Sequence, residues 1–249
     1  MVKRFVLSGF VFVFLVTAVL AMGGRPAGSP KVVENATARP TELASILGAG
    51  TFLIDDFESG SLQSPKQWWT FDMQKVAVEG NSSLTDGDPG VVVKKGRYSQ
   101  HLQGVCKNWY AGGVGVYFAK PDQDLSKFST FQIDIFGNGE GSGTVKVELA
   151  DDDNNNWQIE QDPSKSYAPI YDDKFVYNIV VDWQGWRHVV IPFNDFVDDN
   201  PGVGDDIWNL QQSRGSGGLL QLQLVCLGAK DNSNINFFFD NIQLGENER

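Results

Sequence analysis

Short runs in which apolar and polar residues alternate constrain this chain more than any other feature of its sequence. Ten such runs occur between residues 52 and 244, and clusters of Gly, Asn, Asp and Pro separate them. Strict alternation places the apolar side chains on one face of a β-strand, and the intervening clusters favour turns. Helical periodicity is nearly absent, and no repeat of fixed length occurs. The pattern predicts an all-β fold, a two-sheet antiparallel β-sandwich of the jelly-roll type. The predicted strands are 52–56, 91–93, 114–118, 130–136, 144–149, 157–161, 176–182, 187–192, 219–226 and 236–244.

The first fifty residues differ in composition from the rest. Lys3 and Arg4 precede an apolar run that ends at Met22, which predicts a signal peptide over residues 1–22, with an uncleaved membrane anchor as the alternative. Residues 23–50 are rich in Gly, Pro, Ala, Ser and Thr and predict a flexible linker. Residues 51–247 are then one domain. The expected location is secreted, periplasmic or cell surface, with membrane contact only through an uncleaved N-terminal segment.

The formal net charge of −11 argues against nucleic acid as a partner. Lys94, Lys95 and Arg97 form the one notable basic cluster, and no aromatic residues are interleaved with it. An acidic chain favours cation binding and leaves neutral ligands such as glycans acceptable.

Two cysteines, Cys106 and Cys226, leave two interpretations open. In an exported protein they can form one disulfide that closes a long loop. Cys226 also continues the inward alternation of Leu222 and Leu224, which is typical of a small buried hydrophobic residue.

Asp240, in the last predicted strand, 236–244, is an acid in a segment that should be buried. By alternation, Asp240 is expected on the same buried side as Ile242 and Leu244. A buried carboxylate must be protonated, hydrogen-bonded or bound to a metal ion. Asp55 and Glu58 stand among apolar residues at the other end of the domain, and calcium is the metal that such a set of oxygen ligands suits. Acids satisfied by backbone amides and a lysine are the alternative.

A second acidic segment, 151–162, has acids and amides at the alternate spacing of a calcium loop. Asn156 stands where such a loop needs glycine, and Asp162 stands where it needs glutamate. A β-turn is therefore favoured over a second cation site.

Three predicted strands, 130–136, 144–149 and 219–226, each have one apolar face and one face of amides and charged groups. Planar amide and carboxylate groups with nearby aromatic rings are the side chains that a sugar-binding surface requires. An ordinary solvated face is the alternative. The candidate ligand-binding residues are Gln132, Asp134, Glu148, Trp157, Tyr177, Gln221 and Gln223.

Catalysis has little support in the sequence. Glu148 and Glu160 could form a carboxylate pair of the glycosidase kind, but two acids on neighbouring strands are common. His101 and His188 lack metal-ligand spacing, and no nucleophile elbow, phosphate loop or zinc motif occurs. No catalytic residue is predicted, and the chain is not expected to be an enzyme.

Four segments in this order resemble the family-11 type of carbohydrate-binding module and the related galactose-binding-like sandwiches, including the complex-I intermediate-associated group. They are Leu53-Ile-Asp-Asp-Phe-Glu58, Asp124-Leu-Ser-Lys-Phe128, Trp186-Arg-His-Val-Val-Ile-Pro-Phe193 with Phe196, and Phe239-Asp-Asn-Ile-Gln-Leu244. The resemblance covers residues 52–244.

This resemblance implies a jelly roll in which a structural calcium joins the chain ends, with Glu58 and Asp240 as ligands. It also implies a concave sheet that binds β-glucan or a similar polysaccharide. Members of this sandwich group also serve as assembly or interaction domains. The predicted function is that of an exported, non-catalytic carbohydrate-binding module; an interaction domain without sugar binding is the alternative.

Overall fold

The computed structural model describes residues 50–80, 96–119, 123–211 and 217–246. Within these ranges the chain forms fourteen β-strands and two 3₁₀ helices, Pro163–Lys165 and Phe193–Asp195. The strands are β1 (Thr51–Asp55), β2 (Trp69–Phe71), β3 (Lys75–Gly80), β4 (Tyr98–Val105), β5 (Tyr110–Tyr117), β6 (Thr130–Asn138), β7 (Gly143–Asp152), β8 (Gln161–Asp162), β9 (Ala168–Pro169), β10 (Asp173–Val181), β11 (Gln184–Pro192), β12 (Val197–Asp198), β13 (Gly218–Leu227) and β14 (Asn234–Gly245). The predicted signal peptide, the linker up to residue 49 and the predicted strand 91–93 lie outside the described residues.

Two six-stranded antiparallel sheets form the predicted sandwich, which confirms the fold class. The first sheet has the order β11-β6-β14-β4-β3, and β1 also pairs with β14. The second sheet has the order β12-β10-β7-β13-β5-β2. Strands β8 and β9 form a separate two-stranded hairpin. No helix among the described residues is long and apolar enough to cross a membrane.

One apolar core joins the inner faces of the two sheets. Ile133 of β6 and Phe239 of β14 belong to it from the first sheet, and Val147 of β7 and Leu222 of β13 belong to it from the second. Each of these residues is fully buried, and the polar residues beside them in sequence point to the opposite side. The alternation in the sequence therefore predicted most of the core side chains correctly.

A β-bulge at Asn241 corrects the expectation for Asp240. Asn241 has a left-handed backbone with φ of 45°, a conformation that asparagine tolerates, and the register of β14 against β6 shifts there. The extra residue reverses the alternation. Ile242 and Leu244 therefore face the core, whereas Asp240 lies on the outer face of the first sheet, opposite Asp134.

The predicted strand 157–161 is wrong over most of its length. Residues 153–158 form a series of bends, and strand β8 begins only at residue 161. The Asp152 carboxylate accepts hydrogen bonds from the backbone N–H groups of Asn156 (3.2 Å) and Trp157 (2.6 Å). These bonds turn the chain, and the turn residues cannot pair in a sheet. The connection between β7 and β8 is therefore a series of bends held by the Asp152 carboxylate.

Both cysteines are buried free thiols. Burial raises the pKa of the Cys226 thiol far above its ordinary value and raises that of Cys106 as well. A thiol that is both buried and protonated reacts slowly, because the thiolate is the nucleophile.

We expect two thiols per chain to react with Ellman's reagent in unreduced protein denatured in guanidinium chloride. In the folded protein we expect almost no reaction over the same period. A result of no thiol in the unreduced, denatured chain would show a disulfide and contradict the structure.

Candidate functional site

The seven candidate ligand-binding residues do not share one surface. Gln132 and Asp134 lie on the outer face of the first sheet, since their neighbours Phe131 and Ile133 face the core. Glu148 and Gln223 pair across β7 and β13 on the outer face of the second sheet. The two outer faces lie on opposite sides of the sandwich. The candidates therefore do not form one site, because alternation separates inside from outside but does not say to which sheet a strand belongs.

Gln132 and Asp134 are engaged within the first sheet. Asp134 Oδ1 lies 2.8 Å from Nδ1 of His188, and its Oδ2 accepts a hydrogen bond of 2.8 Å from Nδ2 of Asn241. Gln132 Oε1 accepts a hydrogen bond of 2.8 Å from Nε2 of Gln243. These bonds connect β6 to β11 and β14, so both residues stabilise the sheet.

The outer face of the second sheet, called the second-sheet face below, has a row of side chains that crosses four strands in register. Trp69 of β2 lies opposite Gly115 of β5, which lies opposite Gln223 of β13, which lies opposite Glu148 of β7. Strands are spaced about 4.8 Å apart, so this row extends for about 14 Å. An aromatic ring, an amide and a carboxylate are thus aligned across the sheet.

Trp69 and Tyr117 form an aromatic pair at one side of this face. Their ring centroids are 5.3 Å apart, and Tyr117 is 41% exposed. The indole of Trp69 covers Gly115, where any Cβ would collide with the ring. At Gly113, two residues earlier, a Cβ would collide with the carbonyl oxygen of Leu224 and with the ring of Phe71. Sequence reasoning missed this pair; the signal was glycine at alternate positions of β5, which leaves room for flat rings from the next strand.

Amide side chains continue the face beside the aromatic pair. Gln221 lies opposite Tyr117 in register, and Gln223 Nε2 donates a hydrogen bond of 3.0 Å to Gln221 Oε1. Gln221 is buried, whereas Gln223 is half-buried. The amide of Gln223 retains a carbonyl oxygen and an N–H that can bind a ligand.

Four charged residues form a balanced cluster at the other side of the face. Lys146 Nζ lies 2.9 Å from Glu148 Oε1 and 3.0 Å from Asp199 Oδ2, and Lys174 Nζ lies 3.0 Å from the same Asp199 oxygen. Burial alone would raise the pKa of Asp199, but hydrogen bonds from the two lysines lower it below its ordinary value. Two positive and two negative groups therefore leave this part of the face without net charge.

Trp157, Tyr177 and Glu160 lie apart from the central row. Trp157 packs against Ala150 and Leu220 at one end of the second-sheet face, where the N–H of Ile159 donates to the Tyr117 hydroxyl at 3.2 Å. Tyr177 lies on the core side of β10, with its ring centroid 5.8 Å from that of Phe196. Glu160 belongs to the turn segment before β8. The structure therefore brings Glu148, Gln221 and Gln223 together, with Trp157 at their border.

The residues predicted to bind calcium lie where β1 joins β14. Asp240 is fully buried; its Oδ1 accepts the backbone N–H of Asn241 at 2.7 Å, and its Oδ2 has no hydrogen-bond partner among the described residues. Burial, with further repulsion from Asp134 and Glu58, raises the pKa of Asp240 to about 8. Glu58 accepts the backbone N–H groups of Arg97 (2.7 Å) and Tyr98 (2.9 Å).

Asp55, the third predicted calcium ligand, is occupied by protein donors. Its Oδ2 accepts the indole N–H of Trp68 at 2.8 Å, and its Oδ1 accepts the backbone N–H of Phe57 at 2.8 Å. Burial raises the pKa of this carboxyl, and the two hydrogen bonds oppose the rise. Asp55 therefore fixes the turn after β1.

Comparison with known proteins gave matches among solved structures, whereas no family model and no curated protein matches the chain. A family 11 carbohydrate-binding module from Clostridium thermocellum, solved with a β-1,3-1,4-mixed-linked tetrasaccharide, is 22% identical with a TM-score of 0.48 and covers 80% of this chain and 98% of its own. The family 11 module of the C. thermocellum cellulosomal cellulase Lic26A-Cel5E is 19% identical with a TM-score of 0.46, and covers 80% and 97%.

A family 30 module of the C. thermocellum cellulosomal cellulase Cel9D-Cel44B is 15% identical, with a TM-score of 0.43 and coverage of 80% and 99%. These are likenesses to solved structures, and any ligand of this chain is argued from its own surface.

The raised pKa of Asp240 predicts a pH dependence of stability in the presence of a chelator. Between its unfolded pKa near 4 and its folded pKa of about 8, Asp240 holds a proton only in the folded state, so the free energy of unfolding falls as pH rises through this range. The melting temperature of Asp240→Asn should therefore rise relative to that of the wild type as pH rises, by several degrees more at pH 8.5 than at pH 5, since about 1 kcal/mol corresponds to 2–4 °C.

Thermal denaturation followed by circular dichroism in EDTA measures both proteins across this range. Asp172 and Asp173, with pKa values raised to about 7 mainly by burial, will leave part of the slope in the variant. Parallel curves for wild type and variant would contradict the assignment to Asp240.

Proposed function

We propose that this chain is a non-catalytic carbohydrate-binding module whose ligand lies on the second-sheet face. The observation that carries the proposal is the alignment of the Trp69–Tyr117 pair with Gln223 and Glu148 across adjacent strands. The expected partner is a polysaccharide or oligosaccharide, and a β-glucan or a similar polymer is the expected class. The expected location is secreted, periplasmic or cell surface.

Each part of this row matches one part of a sugar chain. A pyranose ring has a face of C–H groups that packs on a flat aromatic ring, and Trp69 and Tyr117 provide half-buried and exposed rings for that contact. Sugar hydroxyls both donate and accept hydrogen bonds, and an amide such as Gln223 can do both at once. Glu148 adds an acceptor held in place by Lys146.

The charge balance of the face favours a neutral ligand. The Lys146, Lys174, Glu148 and Asp199 cluster is internally paired, so a neutral polymer can bind beside it without leaving a charge unpaired. An extended chain lying along the row would contact the aromatic pair at one end and the ion cluster at the other.

We expect Trp69→Ala and Gln223→Ala each to weaken retention by a soluble mixed-linkage β-glucan in affinity electrophoresis, with about tenfold loss for Trp69→Ala. The loss follows because an aromatic contact contributes about 1 kcal/mol or more beyond its buried area, and tenfold is about 1.4 kcal/mol. Unchanged mobility of the wild type across a broad panel of glucans, xylans and galactans would overturn the sugar assignment and favour an interaction domain.

Gln132→Ala is the matched control. It removes the same amide from the opposite side of the sandwich, so retention should equal that of the wild type. Melting temperatures of all three variants separate loss of binding from loss of folding. Retention lost equally in Gln132→Ala and Gln223→Ala would place the site elsewhere.

We also propose that a structural calcium binds beside Asp240 and Glu58, at the junction of β1 and β14. The support is Oδ2 of the fully buried Asp240, which has no hydrogen-bond partner among the described residues, together with the repulsion that Glu58 adds. A divalent cation would replace that repulsion by attraction. Asp55 would contribute to the site by holding the adjoining turn.

Calcium in excess should raise the melting temperature of the wild type by several degrees over its value in EDTA, because a ligand that binds only the folded state stabilises it. Asp240→Asn should lose part of this increase. Asp182→Asn, which removes an exposed acid from the turn between β10 and β11, should retain all of it. An equal calcium shift in all three proteins would exclude Asp240 as a ligand.

A further inference from the structure

A second group of acids lies at the opposite sheet, where the end of β7, the start of β10 and the loop 199–210 meet. Carboxylate oxygens of Asp153, Asp173 and Asp205 all lie within 4.8 Å of one another. These residues come from three segments that are distant in the sequence. The fold therefore brings three carboxylates together that no local sequence motif would have grouped.

Two buried carboxylate oxygens at this place have no partner in the described part of the chain. They are Oδ1 of Asp173 and Oδ1 of Asp151, and both residues are 0% exposed. Asp173 Oδ1 and Asp153 Oδ2 both face Gly204, where a Cβ would collide with either oxygen. The unpartnered oxygen of Asp173 is thus directed into the acidic group. Such an oxygen leaves a large desolvation cost uncompensated unless a ligand binds it.

Backbone amides hold the other oxygens in position. Asp173 Oδ2 accepts the N–H of Ile207 at 3.0 Å, and Asp151 Oδ2 accepts the N–H of Asn209 at 2.6 Å. Asp153 Oδ2 accepts the N–H of Asp173 at 3.0 Å. Each carboxylate is therefore oriented in advance, which lowers the conformational cost of binding an ion.

No salt bridge among the described residues neutralises this group. The nearest lysine in sequence, Lys174, pairs with Asp199 and Glu148 on the second-sheet face. Burial, and after it repulsion from Asp153, raises the pKa of Asp173 to about 7. Burial also raises the pKa of Asp151 well above its ordinary value, with further repulsion from Asp153 and Asp173. Among the described residues, no positive charge offsets this group.

We propose that Asp153, Asp173 and Asp205 bind one divalent cation of the calcium class, with the buried Asp151 carboxylate beside them. All the donors are carboxylate oxygens, the set that Ca²⁺ prefers, and there is no imidazole or thiolate to select a transition metal. The bound ion attaches the loop 199–210 to β7 and β10. Since Asp199 of this loop belongs to the ion cluster of the second-sheet face, the same ion also fixes one border of that face.

This site is separate from the calcium proposed at Asp240, which lies on the first sheet. It also differs from the calcium-loop spacing noted in segment 151–162. Asp162 takes no part in it, and Asp173 and Asp205 lie outside that segment. Asp162 instead accepts the N–H of Ser164 at 2.8 Å at the start of a 3₁₀ helix.

Isothermal titration of the full chain with CaCl₂, after removal of metal with EDTA and exchange into chelator-free buffer, tests the proposal. Asp173→Asn should bind one Ca²⁺ fewer per chain than the wild type. Asp206→Asn should bind the wild-type number, because Asp206 is exposed and accepts only the N–H of Gly202 in the same loop. Asp240→Asn should retain the ion at this site, which separates the two metal proposals.

A second measurement distinguishes a metal site from a merely structural acid. In EDTA, Asp173→Asn should melt at or above the wild-type temperature, because it removes repulsion; in calcium it should melt below the wild type, because it lacks a ligand. If Asp173→Asn does not fold, Asp205→Asn, at an exposed position, replaces it. An equal number of bound Ca²⁺ ions in folded wild type and in the folded variant would overturn the proposal.

Discussion

Strand β14 is the element on which the rest of the structure depends, because it pairs with three others. It hydrogen-bonds to β6 along one edge and to β4 and then β1 along the other, so the two ends of the domain meet on it. The bulge at Asn241 lets this strand fill the core along its whole length. Without the extra residue, Asn241 and Gln243 would face the core in place of Ile242 and Leu244, and their amides would be buried without suitable partners.

The alternation in the sequence was sufficient to predict the fold class and most of the core. It could not predict the candidate site, because Gln132 and Gln221 stand in strands of the same pattern. Their separation arises in the turn between β6 and β7, where the chain crosses from the first sheet to the second. Sheet membership is decided by long-range pairing, which no local pattern contains. Tyr177 was also predicted wrongly, because its side chain packs against the core beside Phe196.

The Trp69–Tyr117 pair on the second-sheet face was not predicted from the sequence for a different reason. Trp69 belongs to a strand of only three residues, too short for alternation to be recognised. Its partner strand β5 has glycine at positions 112, 113 and 115, a composition that propensity assigns to loops. In the folded chain Gly115 has a specific function, since only a residue without a side chain lets the indole lie flat on the sheet. Glycine at alternate positions of a strand is therefore a sequence signal for an aromatic platform.

Backbone N–H groups hold several of the buried acids of this chain in place. Asp151, Asp173 and Asp240 share one arrangement: each is fully buried, one oxygen accepts a backbone N–H, and the other oxygen has no partner among the described residues. On the second-sheet face, by contrast, acids are paired with Lys146 and Lys174. The buried carboxylate oxygens without a partner among the described residues thus lie away from the aromatic and amide row, which is suited to a neutral ligand. Under the proposed cation sites and the proposed glycan site, the stability of the domain would respond to cations and the second-sheet face to a neutral polymer.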